Sequence, residues 1–284
     1  MNGWLIYDAE GCKRNGWFID RLIDSGKKLG LHLTLVLAED LLFGVKDHKR
    51  FVARKNSSEL LPDFAVCRTI YPLLSRTLEA LGVPTFNSAD VSTICNDKRL
   101  THAFFADKGI AMADTFFLSK SSFAPRNYCY PSVIKSPAGH GGREVYLASC
   151  QKEAEEIVAG APGEYMLLQP LVKPGVDVRV YLLGGKILAS VKRTSATDFR
   201  SNFSLGGNVE LYSANEEIKK VTDLVFEKLK PTFVGVDFTF DENGKPLLNE
   251  IEDVVGTRML YKLTDLEVSE LLMDEIRRSL MTQI

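Results

Sequence analysis

Hydrophobic and polar positions along the chain change rhythm twice. Residues 3–8 (GWLIYD) form a short apolar run, a loop with Gly11 and Gly16 follows, and Trp17 to Leu29 places apolar residues at helical spacing. Residues 31–37 and 64–69 read as strands, 51–55 as a short one, Leu73 to Leu81 as a helix closed by Gly82, and 83–87 as another strand. Strands alternating with helices in this way predict a parallel α/β domain over residues 1–90.

From Ser88 the rhythm changes. Ala89 to Lys108 has the pattern of one helix ended by Gly109, and Lys98 lies within it. Strands are expected at 115–119, 131–136, 144–148 and 165–172, with a helix from Lys152 to Ala159 and Pro170 interrupting the last strand. Beyond residue 171 two hairpins dominate, with an amphipathic helix, Glu216 to Lys230, between them and a closing helix from Leu266 to Leu280.

The first hairpin (177–193) turns on Gly184-Gly185. Pairing outward sets Asp177 opposite Lys192 and Arg179 opposite Ser190. One face then carries Val178, Val180, Leu182, Ile187, Ala189 and Val191, and the other carries Asp177, Arg179, Tyr181 and Lys192. That polar face suits either a cross-strand ion pair or an anionic ligand. Arg193 falls on the oily face in this register, at a strand end where a bulge would re-aim it.

The second hairpin (233–252) turns on Asn243-Gly244, a pair favoured in two-residue turns. Counting outward places Asp237 opposite Glu250, with Glu252 on the same face. Three carboxylates on one face repel unless a cation lies between them, so the spacing points to a magnesium site built from hard oxygen ligands. The other reading is an edge hairpin whose acids are only solvated. Their strands, VGVDF and LLNEI, are otherwise apolar, which argues against a wet face.

Two loops add polar groups. Ser136 to Arg143 holds three glycines beside Lys135, at the end of its strand, and reads as a flap whose backbone amides suit phosphate. His140 within it lacks a partner at metal-ligand spacing. Residues 194–209 join two well-patterned elements and contain Arg200 and Asn202.

At 284 residues the chain exceeds one comfortable core, so subdomains are expected at 1–90, 91–170 and 171–284. Net charge of −2 gives no electrostatic case for nucleic acid as the main partner. No apolar run reaches the length of a membrane span, and MNGWLIYDAEG lacks the features of a secretion signal. Five scattered cysteines without a C-x-x-C pair read as free thiols in a reducing cytoplasm. The first glycine-containing loop does not match the G-x-G-x-x-G fingerprint, which disfavours a nicotinamide enzyme.

Taken in order, NDKRLTHAFFADKGI, PSVIKSPAGHGGREVYLA, LLQPLVKPGVDVRVYLLGGKILASVKR, DFRSN with a following Gly-Gly, GVDF and LLNEIE resemble the ATP-grasp superfamily, and within it the RimK-type glutamate ligases. The resemblance covers about residues 88 to 260. It implies an α/β fold, α+β in its C-terminal part, in which a parallel pre-ATP-grasp domain precedes a two-lobed ATP-grasp fold. It implies ATP-dependent joining of a carboxylate to an amine through an acyl phosphate, with magnesium or manganese. Small-molecule or peptide substrates and a homo-oligomer would be its partners. By position it implies Lys98 and Lys135 at the phosphates, Gln169, Pro170 and Leu171 at the adenine, and Asp177 at the nucleoside. Arg179, Arg193, Arg200, Ser201 and Asn202 would surround the γ-phosphate, and Asp237, Glu250 and Glu252 would hold the metal. Relatives often have an acid and an aromatic where this chain has Pro170-Leu171, and commonly Asn where it has Glu252. A non-catalytic nucleotide sensor on the same fold is the alternative.

Overall fold

The computed structural model describes residues 1–55, 60–124, 128–139, 141–142, 144–201 and 207–282. Its N-terminal sheet joins β1 (Asn2–Tyr7), β2 (His32–Leu37), β5 (Phe64–Cys67) and β6 (Thr85–Phe86) in the order β2-β1-β5-β6, all parallel. Helices α1 (Ala9–Lys28) and α2 (Pro72–Ala80) supply the crossovers. Parallel strands buried on both faces read as continuous apolar runs, as LIY and FAVC do here. An antiparallel pair rises from the end of β2: β4 (Lys49–Arg54) overlaps the short strand expected at 51–55, while its partner β3 (Leu41–Lys46) was not announced by the pattern.

The single helix expected from Ala89 to Lys108 is two, α3 (Ala89–Cys95) and α4 (Lys98–Phe105). Asp97 breaks it: its side chain accepts from the Arg99 N–H at 2.8 Å and caps a fresh helix. A second sheet orders β7 (Phe116–Ser119), β10 (Tyr165–Pro170), β8 (Ser132–Lys135) and β9 (Val145–Ala148) antiparallel, with α5 (Gln151–Gly160) against it. The third sheet is β13-β12-β11-β14-β15, from β11 (Val176–Leu183), β12 (Lys186–Thr194), β13 (Asn208–Tyr212), β14 (Phe233–Phe240) and β15 (Pro246–Glu252). The stretch expected to be loop throughout 194–209 thus ends in an edge strand. Helices α6 (Glu216–Leu229), α7 (Arg258–Leu263) and α8 (Val268–Thr282) complete the chain.

One apolar cluster ties the first sheet to the third, with Leu5, Tyr7 and Val66 packed alongside Tyr181, Phe233 and Val255. Helix α8 returns to α1, where Ser25 and Ser269 share a buried hydrogen bond of 2.9 Å. Asn87 stitches the same seam. Its amide donates to the Phe233 carbonyl (2.8 Å) and to Asp253 (2.7 Å), and its oxygen accepts from the backbone N–H of Thr232 and Phe233 at 2.7 and 2.9 Å. The side chain acts as one more rung for β14. Asn87→Ala strands these buried groups, each worth roughly 1–3 kcal/mol when unpaired, so a loss of about 3 kcal/mol in urea unfolding is expected.

All five cysteines are thiols, as expected. Among the described residues no helix is long and apolar enough to cross a membrane.

Candidate active site

Both hairpins reach the site through a one-residue bulge. In β11–β12 the observed pairs are Asp177 with Arg193 and Arg179 with Val191, because the register shifts between Tyr181 and Leu182. The shift leaves Leu188 as the extra residue. It corrects the expected pairing: Lys192 turns away to Glu210 (2.9 Å), and Arg193 swings onto the polar face. Ala189 and Val191 move with it, away from Val178, Val180 and Leu182.

In β14–β15 Asp237 does pair with Glu250, but by a route the count did not foresee. The turn holds three residues, Glu242 to Gly244, since Phe240 pairs with Pro246 and the Asp241 N–H reaches the Lys245 carbonyl. A bulge at Asn249 then restores the lost step. The longer turn and the bulge cancel, so the acids face one another while Asn249 also points inward.

Charges of both signs converge here. Arg179 donates two hydrogen bonds to Asp237 (2.7 and 2.6 Å) and lies 2.7 Å from Glu252. Arg193 spans Asp177 and Asp237. Gly235 makes room for the first arginine: a methyl there would meet Val255 Cγ2 at 2.7 Å and Arg179 Cδ at 3.3 Å. Burial opposes the Asp237 charge, but the two guanidiniums outweigh it and hold the carboxyl down at about 2. Burial also opposes the Glu250 charge, and Lys98, 3.0 Å away, draws it below the usual carboxylate range. Glu252 goes the other way, raised by burial despite Arg179. Among the described residues, Asp237, Glu250 and Glu252 bring oxygens within 4.8 Å of one another. Three carboxylates at that separation fit a hard divalent cation.

A cleft, open at its mouth, lies beside them. Lys98, Lys135, Gln169, Pro170, Leu171, Asp177, Arg200, Ser201 and Glu250 all line it. Lys98 also donates to the Gly139 carbonyl of the flap at 2.5 Å. Lys135 is pushed by burial down to about 8, with Glu250 pulling it up and Lys98 pressing it down. The Gln169 side chain turns from the cleft to Thr115 (2.8 Å), leaving its backbone on the wall. Arg200 grips Asp198 and donates to the Gly142 carbonyl at 2.7 Å, tying the flap to the loop after β12. Asn202 and His140 lie outside the described residues.

Residues 95–276 match the model of the RimK-like ATP-grasp domain, which is well over half of the chain. The chain belongs to the RimK-like ATP-grasp family. Its reaction class is therefore ATP-dependent carboxylate–amine ligation. A probable alpha-L-glutamate ligase of Aliivibrio fischeri is 28% identical over 93% of this chain and 92% of its own. An alpha-aminoadipate–LysW ligase of Saccharolobus solfataricus is 23% identical over 91% of this chain and 96% of its own. The crystal structure of a RimK domain ATP-grasp protein from Sphaerobacter thermophilus superposes with a TM-score of 0.71 at 18% identity, covering 97% of this chain and 99% of that one.

Within this RimK-like site three residues escaped the sequence reading. Asn249 accepts from Lys135 at 2.8 Å through its side chain, and its carbonyl lies 3.2 Å from His102. His102 stands four residues after Lys98, hence on the same face of α4. Burial drives its imidazole down to about 4, so it is neutral beneath two lysines. Its spacing from Lys98 was a usable signal. Asp253 follows Glu252 in a loop whose apolar look hid a carboxyl gripped by Asn87 and Asn96.

Proposed function

We propose that the cleft binds ATP with its triphosphate directed at the bulged hairpins, and that a substrate carboxylate attacks the γ-phosphate there. An amine then opens the acyl phosphate, giving an amide, ADP and phosphate, and the proton released from the amine passes to solvent or phosphate. In this reading Lys98 and Lys135 meet the phosphates, and the backbone of Gln169 to Leu171 borders the adenine. Asp177 lines the nucleoside side while orienting Arg193. Arg179 and Arg193 stabilise charge on the transferring group, with Arg200, Ser201 and Asn202 closing over it. Asp237, Glu250 and Glu252 would hold magnesium or manganese, which supplies neutralisation of phosphate charge when bound. Residues 91–170 then form a lid over a platform made by 171–284.

The observation that carries this reading is the convergence of three carboxylate oxygens within 4.8 Å at the end of a cleft that contains two lysines. Substrates are small-molecule or peptide carboxylates and amines, in line with the reactions named for the two ligase relatives. Phosphate release from ATP and magnesium, measured against a pool of amino acids and short peptides, tests it. Substrate-stimulated release is expected, and ATP binding without it marks a sensor instead. Glu250→Gln removes one charged oxygen donor. It is expected to raise the magnesium needed for half-maximal release about tenfold, equivalent to roughly 1.4 kcal/mol.

A further inference from the structure

Helix α4 carries, one turn beyond Lys98, a group that the ligase reading leaves idle. His102 is buried, with its Nε2 3.2 Å from the Asn249 carbonyl and its Nδ1 3.3 Å from the Thr115 hydroxyl. A carbonyl only accepts, so Nε2 carries the proton. The ring is neutral, hence Nδ1 is bare and can only accept. The Gln169 amide lies 3.4 Å from the protonated Nε2 and donates instead to the Thr115 oxygen at 2.8 Å, while Thr115 reaches the Ala113 carbonyl at 2.8 Å. The tautomer is thus fixed by Asn249, the one of these partners whose contact atom has no proton to give.

That partner is the extra residue of a bulge. Asn249 has no opposite in the β14 ladder, because Glu250 pairs with Asp237 and Leu248 with Phe238. The residue a bulge inserts is left unpaired, and its buried polar groups need partners from elsewhere. β15 is the outer strand of its sheet, and the chain from α4 to β7 covers its free side at the bulge. There the Leu248 N–H donates to the Ala111 carbonyl at 2.9 Å, Met112 bridges Leu248, and the Asn249 carbonyl receives His102. With its carbonyl held from behind, Asn249 presents its side chain to the cleft, where Oδ1 accepts from the Lys135 ammonium at 2.8 Å. A lysine is a point charge on a flexible stem, so the acceptor that fixes its Nζ decides where positive charge meets phosphate.

We propose that His102 is a positioning residue for the triphosphate: by donating its Nε2–H to the Asn249 carbonyl it fixes the bulge, and through the side chain of Asn249 it fixes the Lys135 ammonium. This rests on the reading of the cleft as a nucleotide site. The role belongs to the phosphate end, because the Gln169 side chain beside the adenine wall keeps its bond to Thr115 with or without the imidazole.

The test is calorimetric binding of ATP with magnesium, and of adenosine, to the parental chain, His102→Leu, His102→Gln, Lys135→Met and the double variant His102→Leu with Lys135→Met. His102→Leu fills the space without a donor and is expected to weaken ATP about tenfold while changing adenosine less than about twofold. The amide of His102→Gln reaches about as far as Nε2 and is expected to recover most of that loss. In the Lys135→Met background, His102→Leu is expected to change ATP affinity no further, since groups that act through one another are not additive. Equal weakening of ATP and adenosine, or losses that add in the double variant, marks a packing role and overturns the proposal. Nitrogen NMR of the four histidines, with His102 assigned by its absence from His102→Gln, is expected to show the proton on Nε2 of the parental chain. A proton on Nδ1 overturns the proposal, and that measurement stands even where His102→Leu does not fold. Missing substrate-stimulated phosphate release sinks the ligase reading and leaves the ratio of ATP to adenosine affinity readable, whereas an unchanged ratio beside normal release sinks only the role of His102.

Discussion

Asp237→Asn is expected to cost about 3–5 kcal/mol of stability and about a thousandfold in ADP formation. Asp237 is fully buried and accepts from Arg179 twice and from Arg193 once. An amide keeps the shape but removes the charge that holds both guanidiniums. It also presents N–H groups where N–H donors already point. Breaking one partner of a buried ionic group costs far more than the group contributes net, because the remaining charges stay buried without compensation. Urea unfolding measures the first loss, and steady-state ADP formation at a temperature where the variant stays folded measures the second. A variant with the parental midpoint and parental turnover would show that neither guanidinium depends on Asp237.

The second large effect is a pH limb. Lys135 is cationic below about 8 and neutral above it, since burial lowers its ammonium from the ordinary lysine range. On the reading proposed above, Lys135 meets the triphosphate as a cation. kcat/KM for ATP is therefore expected to be level below pH 8 and to fall about tenfold per unit above it. Bound phosphate favours the charged lysine, so the limb in kcat lies at higher pH than the limb in kcat/KM. Lys135→Arg remains charged throughout and is expected to abolish the limb. Lys135→Met is expected to lower kcat/KM about a hundredfold at pH 7. A limb that survives in Lys135→Arg belongs to another group.

Much of this was legible in the sequence because burial imposes period. The parallel strands of the first sheet announced themselves as apolar runs, and Asp237, Glu250 and Glu252 as charges set in apolar strands. What stayed hidden was whatever depends on a local break in period. Asp97 splits a continuous helical pattern by hydrogen-bonding its own backbone, a competition that apolar spacing does not record. The extra residue at Leu188 moved Arg193 in and Lys192 out, and no propensity marks where a ladder slips. The pairing of Asp237 with Glu250 was reached through a turn one residue too short, rescued by Asn249. His102 read as an ordinary helix residue because its importance comes from β15, more than a hundred positions away.

Those two slipped ladders also constrain how such a scaffold diverges. Losing Asn249 would let the β14–β15 ladder run unbroken with Glu250 still across from Asp237, but would remove the amide that accepts from Lys135. Losing Leu188 would likewise leave Arg193 across from Asp177. In either case a single codon deletion straightens a ladder and spares its charged pair. Length variation on this framework is therefore tolerated at the bulges themselves, whereas a residue gained or lost between a bulge and its charged pair exchanges the faces.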